Sequence, residues 1–114
     1  MGCARQFKML GRAVVQIEKL RDYSLNPNHP VGKHKARVFR AALGITIEDA
    51  AWLRERALEA ATSGDAEGPS SSVFGDKYVI DSVLEYAGRS ATVRFTWIVE
   101  FGTDFPRLTS CYVK

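Results

Sequence analysis

The chain has 114 residues, of which 46% are hydrophobic and 25% are charged, a balance typical of one globular domain. No stretch approaches the roughly 20 apolar residues that a membrane-spanning helix needs, and no apolar segment of a secretory signal follows the basic N-terminus. The two cysteines lie far apart and match neither a disulfide framework nor a metal-binding pattern. We therefore expect reduced thiols and a cytoplasmic protein that does not bind membranes.

Positive charge is concentrated at the start of the chain. Residues 1–40 contain nine Lys or Arg residues and two acids, whereas residues 41–114 contain seven Lys or Arg residues and eleven acids. A basic segment favours polyanions such as nucleic acid, or an acidic partner protein. A solvated helix face without a binding role explains the same charges equally well.

The first elements in chain order are short. Residues 1–11 are expected to be disordered or to form an extension, and residues 12–17 have a strand-like pattern. Residues 18–26 are typical of a short helix or turn. Pro27 and Pro30 then bracket a loop, because each lacks a backbone donor and restricts the residue before it.

Two longer helices are predicted next. The first runs from residue 32 or 33 to residue 43, and Gly44 follows it in the position that favours a left-handed backbone. Thr46 and Asp49 resemble a capping box, with aspartate in place of the usual glutamate. The second helix then extends to about residue 61.

The remainder of the chain is predicted to be β-structure. A polar loop over residues 62–75 is expected to be mobile, and the strands 77–86 and 91–100 form a hairpin around "AGRS". A last strand covers residues 107–113. The predicted fold is a single α+β domain over residues 1–114, in which N-terminal helices pack on a three- to four-stranded antiparallel meander.

Helical geometry directs one cation toward the interior. At about 100° per residue, Ala36, Phe39 and Leu43 form the inward stripe of the first long helix, and Lys35 falls within the same arc. Such a lysine either extends past the helix end to water or lines an anion-binding site between helix and sheet. The outward and flanking positions are predicted to carry Lys33, His34, Arg37 and Arg40.

The start of that helix adds two candidates. Gly32 would allow an anion to approach the backbone, where the helix N-terminus contributes partial positive charge. His29 precedes it, and because histidine is the side chain suited to proton transfer near neutral pH, it is a candidate proton donor or acceptor. An ordinary histidine of a surface loop is the alternative.

Strand alternation separates a core face from a polar face. In residues 91–99 the core face is predicted to contain Ala91, Val93, Phe95, Trp97 and Val99, and the other face contains Thr92, Arg94, Thr96 and Ile98. In the last strand, one face is predicted to carry Leu108, Ser110 and Tyr112, and the other to carry Thr109, Cys111 and Val113.

Arg94 is the centre of a second candidate site. With Thr96, and with Thr109 or Tyr112 of the next strand, it would form a polar patch able to hold a phosphate. An ordinary solvated face is the alternative, and Lys35 and Arg94 are predicted on different sides of the sheet. The sequence contains none of the common nucleotide-binding, hydrolase or metalloprotease motifs, so we expect no metal and no cofactor.

Three motifs carry a family resemblance. The chain contains L-N-P-x-H-P-x-G-x-x-K-A-x-x-F at residues 25–39, R-x-x-W-I-V from Arg94 and P-R-L-x-x-x-Y from Pro106. Together they resemble a bacterial toxin-associated domain family over about residues 17–113. That family is similar in setting and element order to the barnase–EndoU–colicin–RelE group of metal-independent ribonucleases. The positions that match the pattern are His29, Gly32, Lys35, Arg94, Trp97, Thr109 and Tyr112.

The resemblance implies an endoribonuclease toxin domain that acts by 2′-hydroxyl transesterification on RNA, with tRNA as one candidate. A cognate antitoxin or immunity protein is the expected partner. The glutamate that serves as the base in barnase-like enzymes is absent from the pattern, so the residue that would act as the base is left open. The implied catalytic residues are His29, Lys35, Arg94, Thr109 and Tyr112. Beside them, the candidate substrate-binding residues are Gly32 and the basic residues of the same helix, Lys33, His34, Arg37 and Arg40. Two alternatives stay open: a non-enzymatic module that binds protein or nucleic acid through the basic half, and a small-ligand pocket.

Overall fold

Helices cover one face of an antiparallel sheet in the computed structural model, which describes residues 4–6, 13–63 and 65–114. The helices are α1 (Ile17–Lys19) with a π-turn (Leu20–Ser24), α2 (Lys33–Leu43), and a 3-10 turn (Ile47–Asp49) that leads into α3 (Ala50–Ser63). The strands are β1 (Ala4–Gln6), β2 (Asp65–Ser71), β3 (Gly75–Tyr86), β4 (Arg89–Glu100) and β5 (Arg107–Val113). They lie side by side in chain order, which confirms the predicted α+β meander.

Local sequence signals define the ends of α2 and the start of α3. Gly44 ends α2 with a φ of 76°, a left-handed conformation that glycine adopts without steric cost. The backbone N–H of Thr46 donates to Asp49 Oδ2 over 2.8 Å, and the N–H of Asp49 donates to the Thr46 carbonyl. The predicted capping pair is therefore confirmed, and it positions α3 directly after α2.

The core lies between the helices and the sheet. Alternate residues of β4 enter it, because successive side chains of a strand point to opposite faces. The largest fully buried side chains include Phe39, Leu43, Leu53, Ile80, Phe95, Trp97 and Leu108. No helix among the described residues combines the length and apolar character required to cross a bilayer.

The strand predicted at residues 12–17 is wrong over the described part of that segment. Val14 forms only an isolated bridge beside β5, where its N–H donates to the Pro106 carbonyl and its carbonyl accepts from Leu108 N–H. Helix α1 then begins at Ile17. The run resembled a strand because it is apolar, and Val15 is indeed buried while Ala13 and Ile17 pack against the core, but the backbone pairs with β5 at one point only.

The polar segment 62–75 was predicted to be a loop, but most of it is helix or strand. Helix α3 continues to Ser63, and β2 forms directly afterwards, with Ser70 opposite Lys77 on β3. Strand pairing uses backbone groups, so a polar sequence can form a strand when a long neighbouring strand offers donors and acceptors. The mobility of this segment stays a prediction.

The N-terminal extension falls largely outside the described residues. Of the expected extension 1–11, the structure describes residues 4–6, which pair with β2, while residues 1–3 and 7–11 lie outside it. The sheet therefore gains a fifth strand, β1, that the sequence pattern did not indicate.

A β-bulge at Thr109 changes the alternation predicted for β5. Trp97 lies opposite Leu108, but the preceding residue of β4, Thr96, lies opposite Ser110, so Thr109 is the additional residue. Leu108 and Cys111 are both buried in consequence. The predicted grouping of Leu108 with Ser110 and Tyr112 is therefore wrong, because simple alternation fails where an inserted residue interrupts it.

Candidate functional site

Lys35 reaches from the first turn of α2 to the last strand of the sheet. Its Nζ donates a hydrogen bond of 2.9 Å to Ser110 Oγ and lies 4.9 Å from the ring centre of Tyr23 and 5.7 Å from that of Tyr112. Both ring distances are typical of cation–π contacts. Among the described residues, no carboxylate forms an ion pair with this ammonium group. We call Tyr23, Lys35, Ser110 and Tyr112 the Lys35 cluster.

Two clefts meet at Lys35. The first has a volume of about 520 Å³ and is polar; its lining comprises Gln16, Glu18, Lys19, Tyr23, Lys35, Thr109 and Ser110. The second has a volume of about 320 Å³ and is more apolar; its lining comprises His34, Lys35, Val38, Tyr112 and Val113. An anion at the junction would meet the ammonium group from either side.

The π-turn that follows α1 positions Tyr23. The N–H of Leu25 donates over 2.8 Å to the carbonyl of Leu20, five residues earlier. The turn places the Tyr23 ring against Lys35 on one side and edge-on to His29, with ring centres 4.7 Å apart, on the other. Short π-segments are often found at functional sites, because they displace one side chain from regular helical spacing.

His29 acts as a cap for the turn before α2. Its Nδ1 accepts the N–H groups of Val31 and Gly32 over 3.0 and 2.9 Å. A nitrogen that accepts two hydrogen bonds carries no proton, so the ring proton is on Nε2. These two N–H groups, which could otherwise bind an anion at the start of α2, are therefore already bonded within the chain. The same tautomer leaves Nε2 as a proton donor.

Gly32 is required by packing against the π-turn. A Cβ at this position would overlap the carbonyl oxygen of Tyr23. Glycine is thus the residue that lets the loop 25–32 lie against the turn and bring His29 and Lys35 to the same tyrosine. This gives Gly32 a structural role whether or not it also approaches an anion.

Arg94 lies on the outer face of the sheet and is held by an acid. Its Nε and Nη2 donate to the two carboxylate oxygens of Asp81 over 2.9 and 3.0 Å, and Lys114 Nζ donates to Asp81 Oδ2 over 3.0 Å. Arg94, and to a smaller extent Lys114, lower the pKa of Asp81 to about 2. Asp81 and then Tyr112 raise the pKa of Arg94, which stays charged at all physiological pH values.

Tyr112 connects the two cations predicted for opposite sides of the sheet. It lies opposite Arg94 in the β4–β5 register, and its ring contacts the ammonium group of Lys35. The structure therefore brings Lys35 and Arg94 to one tyrosine, although Arg94 already has a bidentate partner in Asp81. Arg94 is placed to orient Tyr112 rather than to reach an anion directly.

Thr109 lines the first cleft, but its hydroxyl is bonded elsewhere. The Thr109 and Thr96 hydroxyl oxygens lie 2.7 Å apart, and Thr109 Oγ1 also donates to the Thr96 carbonyl over 3.1 Å. This pair stabilises the bulge. Ser110, which sequence reasoning did not select, supplies the hydroxyl that bonds Lys35.

Three cations of α2 lie in a separate groove. Lys33, Arg37 and Arg40 line a cleft of about 330 Å³ that shares no lining residue with the clefts at Lys35. Its other lining residues are Leu25, Pro27, Ala36, Ile45, Thr46 and Ile47. We call this surface the basic groove. His34 links the two regions, because it lines the second cleft while its Nδ1 lies 3.2 Å from Arg37 Nη2.

Neither a metal site nor a reactive thiol is evident in the described part of the chain. No three histidine, cysteine or acidic side chains there are grouped to hold a metal ion. Burial raises the pKa of the Cys111 thiol to about 12, although Ser24 and the charge of Lys35 act in the opposite direction. Cys111 is therefore protonated and packs as a small apolar residue.

Comparison with known proteins places the chain by fold and by family. No curated protein matches the chain. The structure is similar to a chain in the contact-dependent growth inhibition toxin–immunity protein complex from Klebsiella pneumoniae 342, with a TM-score of 0.67 and 16% identity, over 94% of this chain and 97% of that chain. Residues 6–114 match the family described as "Domain of unknown function (DUF6883)", and the chain belongs to that family.

Proposed function

We propose that the chain is a toxin domain that cleaves RNA by metal-independent transesterification. In this reaction the ribose 2′-hydroxyl attacks the adjacent phosphate, the bond to the 5′-oxygen breaks, and the products are a 2′,3′-cyclic phosphate and a 5′-hydroxyl. The observation that carries the proposal is the Lys35 ammonium group, which lies between two open clefts with hydroxyl and ring contacts and no acidic partner among the described residues.

Lys35 would stabilise the transition state. Charge accumulates on the phosphoryl oxygens during the attack, and a fixed cation that is not already paired with a carboxylate stabilises that charge strongly. The hydroxyl of Ser110 and the rings of Tyr23 and Tyr112 hold the ammonium group in place. Tyr112, with Arg94 beside it, would orient the phosphate, whereas Thr109, whose hydroxyl donates to the Thr96 carbonyl, would only shape the cleft wall.

Two groups are available for proton transfer. His29 lines neither cleft, but its ring lies edge-on to Tyr23, which lines the first, and it would donate its Nε2 proton to the 5′-oxygen that leaves. Glu18 lines the first cleft with Lys35 and is a carboxylate available to accept the 2′-hydroxyl proton. This assignment would supply the base that the sequence motif lacks.

A cognate inhibitor is part of the proposal. The structural relative is a chain of a toxin–immunity protein complex, so a toxin or an immunity role fits the shared fold. The Lys35 cluster favours the toxin role, because it provides reaction chemistry that an inhibitor does not need. We propose RNA in the cytoplasm, with tRNA as one candidate, as the substrate.

The experiment is cleavage of total RNA by the purified chain in EDTA, with end-group analysis for cyclic phosphate. Lys35→Met keeps side-chain length but removes the charge, and we expect a loss of about 100-fold or more. Lys77→Met is the control, because Lys77 is an exposed lysine on β3 away from both clefts. Intact RNA at high protein concentration, or equal cleavage by Lys35→Met, would refute the proposal.

A non-enzymatic binding module is the second candidate, favoured by the basic groove. It predicts that the chain binds RNA or an acidic protein without turnover. Replacement of Lys33, Arg37 and Arg40 by glutamine would then weaken binding more than Lys35→Met does. If nucleic acid is the ligand, its affinity also falls steeply as salt concentration rises.

A further inference from the structure

We propose that the basic groove is a docking site for an acidic segment of a partner protein that inserts an apolar side chain between α2 and the 3-10 turn. The charges of the groove all have one sign: Lys33, Arg37 and Arg40 line it, and no acidic residue does. This proposal does not depend on ribonuclease activity, because no residue of the Lys35 cluster belongs to the groove.

The three cations are arranged for contact with a partner. They occur at positions 33, 37 and 40, a spacing that places them along one side of a helix. All three side chains are exposed, and none forms an ion pair within the described part of the chain. Carboxylates of a partner can therefore pair with them without displacing acids of this chain.

The floor of the groove is apolar. Leu25, Ala36 and Ile45 form it and are almost completely buried, whereas Ile47 is 37% exposed at the rim. An apolar side chain that enters the groove removes its own surface and that of Ile47 from water, and a volume of about 330 Å³ is within the range of ligand-binding clefts. An apolar anchor surrounded by ion pairs is a common arrangement in protein interfaces.

The lining favours a protein over RNA. Single-stranded RNA is recognised by stacking on aromatic rings and by hydrogen bonds to base edges. No aromatic residue lines the groove, and Thr46 is the one uncharged polar side chain among its lining residues. The cations alone would attract RNA, but the floor has no groups that would hold a base.

The probe for the test is a fluorescein-labelled synthetic peptide that alternates glutamate and leucine, and its binding to the full chain is measured by anisotropy. Arg37→Gln/Arg40→Gln removes two groove cations. Arg21→Gln/Lys77→Gln removes two exposed cations elsewhere and is the matched control. We expect the groove variant to bind about tenfold more weakly, as the loss of two exposed ion pairs predicts, and the control to bind like the wild type.

The apolar part of the proposal is tested separately. A peptide with serine in place of leucine, and the variant Ile47→Ser with the original peptide, should each show weaker binding at constant charge. Equal binding of the leucine and serine peptides would overturn the proposal. So would equal loss in the two charge variants, or tighter binding of a labelled single-stranded RNA that depends on Arg37 and Arg40.

Discussion

Asp81 on β3 lies directly opposite Arg94 on β4, and the guanidinium donates two hydrogen bonds, of 2.9 and 3.0 Å, to its carboxylate. Lys114 donates a third, of 3.0 Å, from the end of the chain. These contacts tie the central hairpin to the C-terminus and hold the pKa of Asp81 at about 2, below its usual value of 3.8. Protonation of this carboxyl group must therefore destabilise the folded chain.

The first prediction concerns the pH dependence of stability. Because the pKa of Asp81 is lower in the folded state, the stabilisation is complete above about pH 4 and is lost as the pH falls toward 2. Asp81→Asn should lower the free energy of unfolding by about 1 kcal/mol at neutral pH, allowing for partial solvent screening. Urea denaturation of both proteins across this range should give curves that converge at low pH; parallel curves would contradict the assignment.

The second prediction concerns the contact between Lys35 and Ser110. Ser110→Ala removes the acceptor and should lower the free energy of unfolding by about 1 kcal/mol, while Lys35 keeps its two aromatic neighbours. Ser90→Ala, at an exposed position near the hairpin turn, is the control. Chemical denaturation provides the measurement, and an equal effect of the two substitutions would show that the hydrogen bond contributes nothing.

The third prediction separates the capping role of His29 from its chemical role. His29→Ala loses the acceptor for Val31 and Gly32 and should cost about 1 kcal/mol of stability, whereas His29→Asn offers a side-chain oxygen in its place and should cost less. Both lose the Nε2 proton, so both should cleave RNA more slowly. Full cleavage by the folded His29→Asn variant would remove His29 from the proposed mechanism.

The fourth prediction concerns Gly32. Alanine here would overlap the Tyr23 carbonyl and force α2 away from the π-turn, at a cost of about 1–3 kcal/mol. Gly102→Ala is the control: its φ is 85° but nothing lies near the added methyl group, so only backbone strain of about 1 kcal/mol is expected. Thermal denaturation of both variants tests the difference. If Gly32→Ala were as stable as the wild type, the π-turn and the start of α2 would be able to separate at little cost.

Much of the fold follows from short-range signals in the sequence. Gly44 and the Thr46–Asp49 pair define the junction of α2 and α3, and alternation in β4 identifies Phe95 and Trp97 as core. The errors occur where contacts with distant parts of the chain determine the backbone conformation. The polar β2 depends on β3 for its partners, and the bulge at Thr109 appears only when β4 and β5 are aligned.

The candidate site was predictable in part, for the same reason. Helical spacing alone directed Lys35 inward, but its partner Ser110 lies 75 positions later in the chain. The bulge at Thr109 also changes the face of β5 on which Ser110 lies, so simple alternation could not predict it. Asp81 was within reach of sequence reasoning, since a two-residue turn between Tyr86 and Arg89 fixes the register opposite Arg94. Tyr23 was not, because its position depends on the π-turn rather than on regular helical geometry.

β5 forms one edge of the sheet and has contacts at two points along its length. It is bridged by Val14 at its start, and the Lys35 ammonium group donates to Ser110 farther along. Charges near an edge strand discourage intermolecular β-pairing. We therefore expect Lys35→Met to aggregate more readily than the wild type, so light scattering should accompany every assay of that variant.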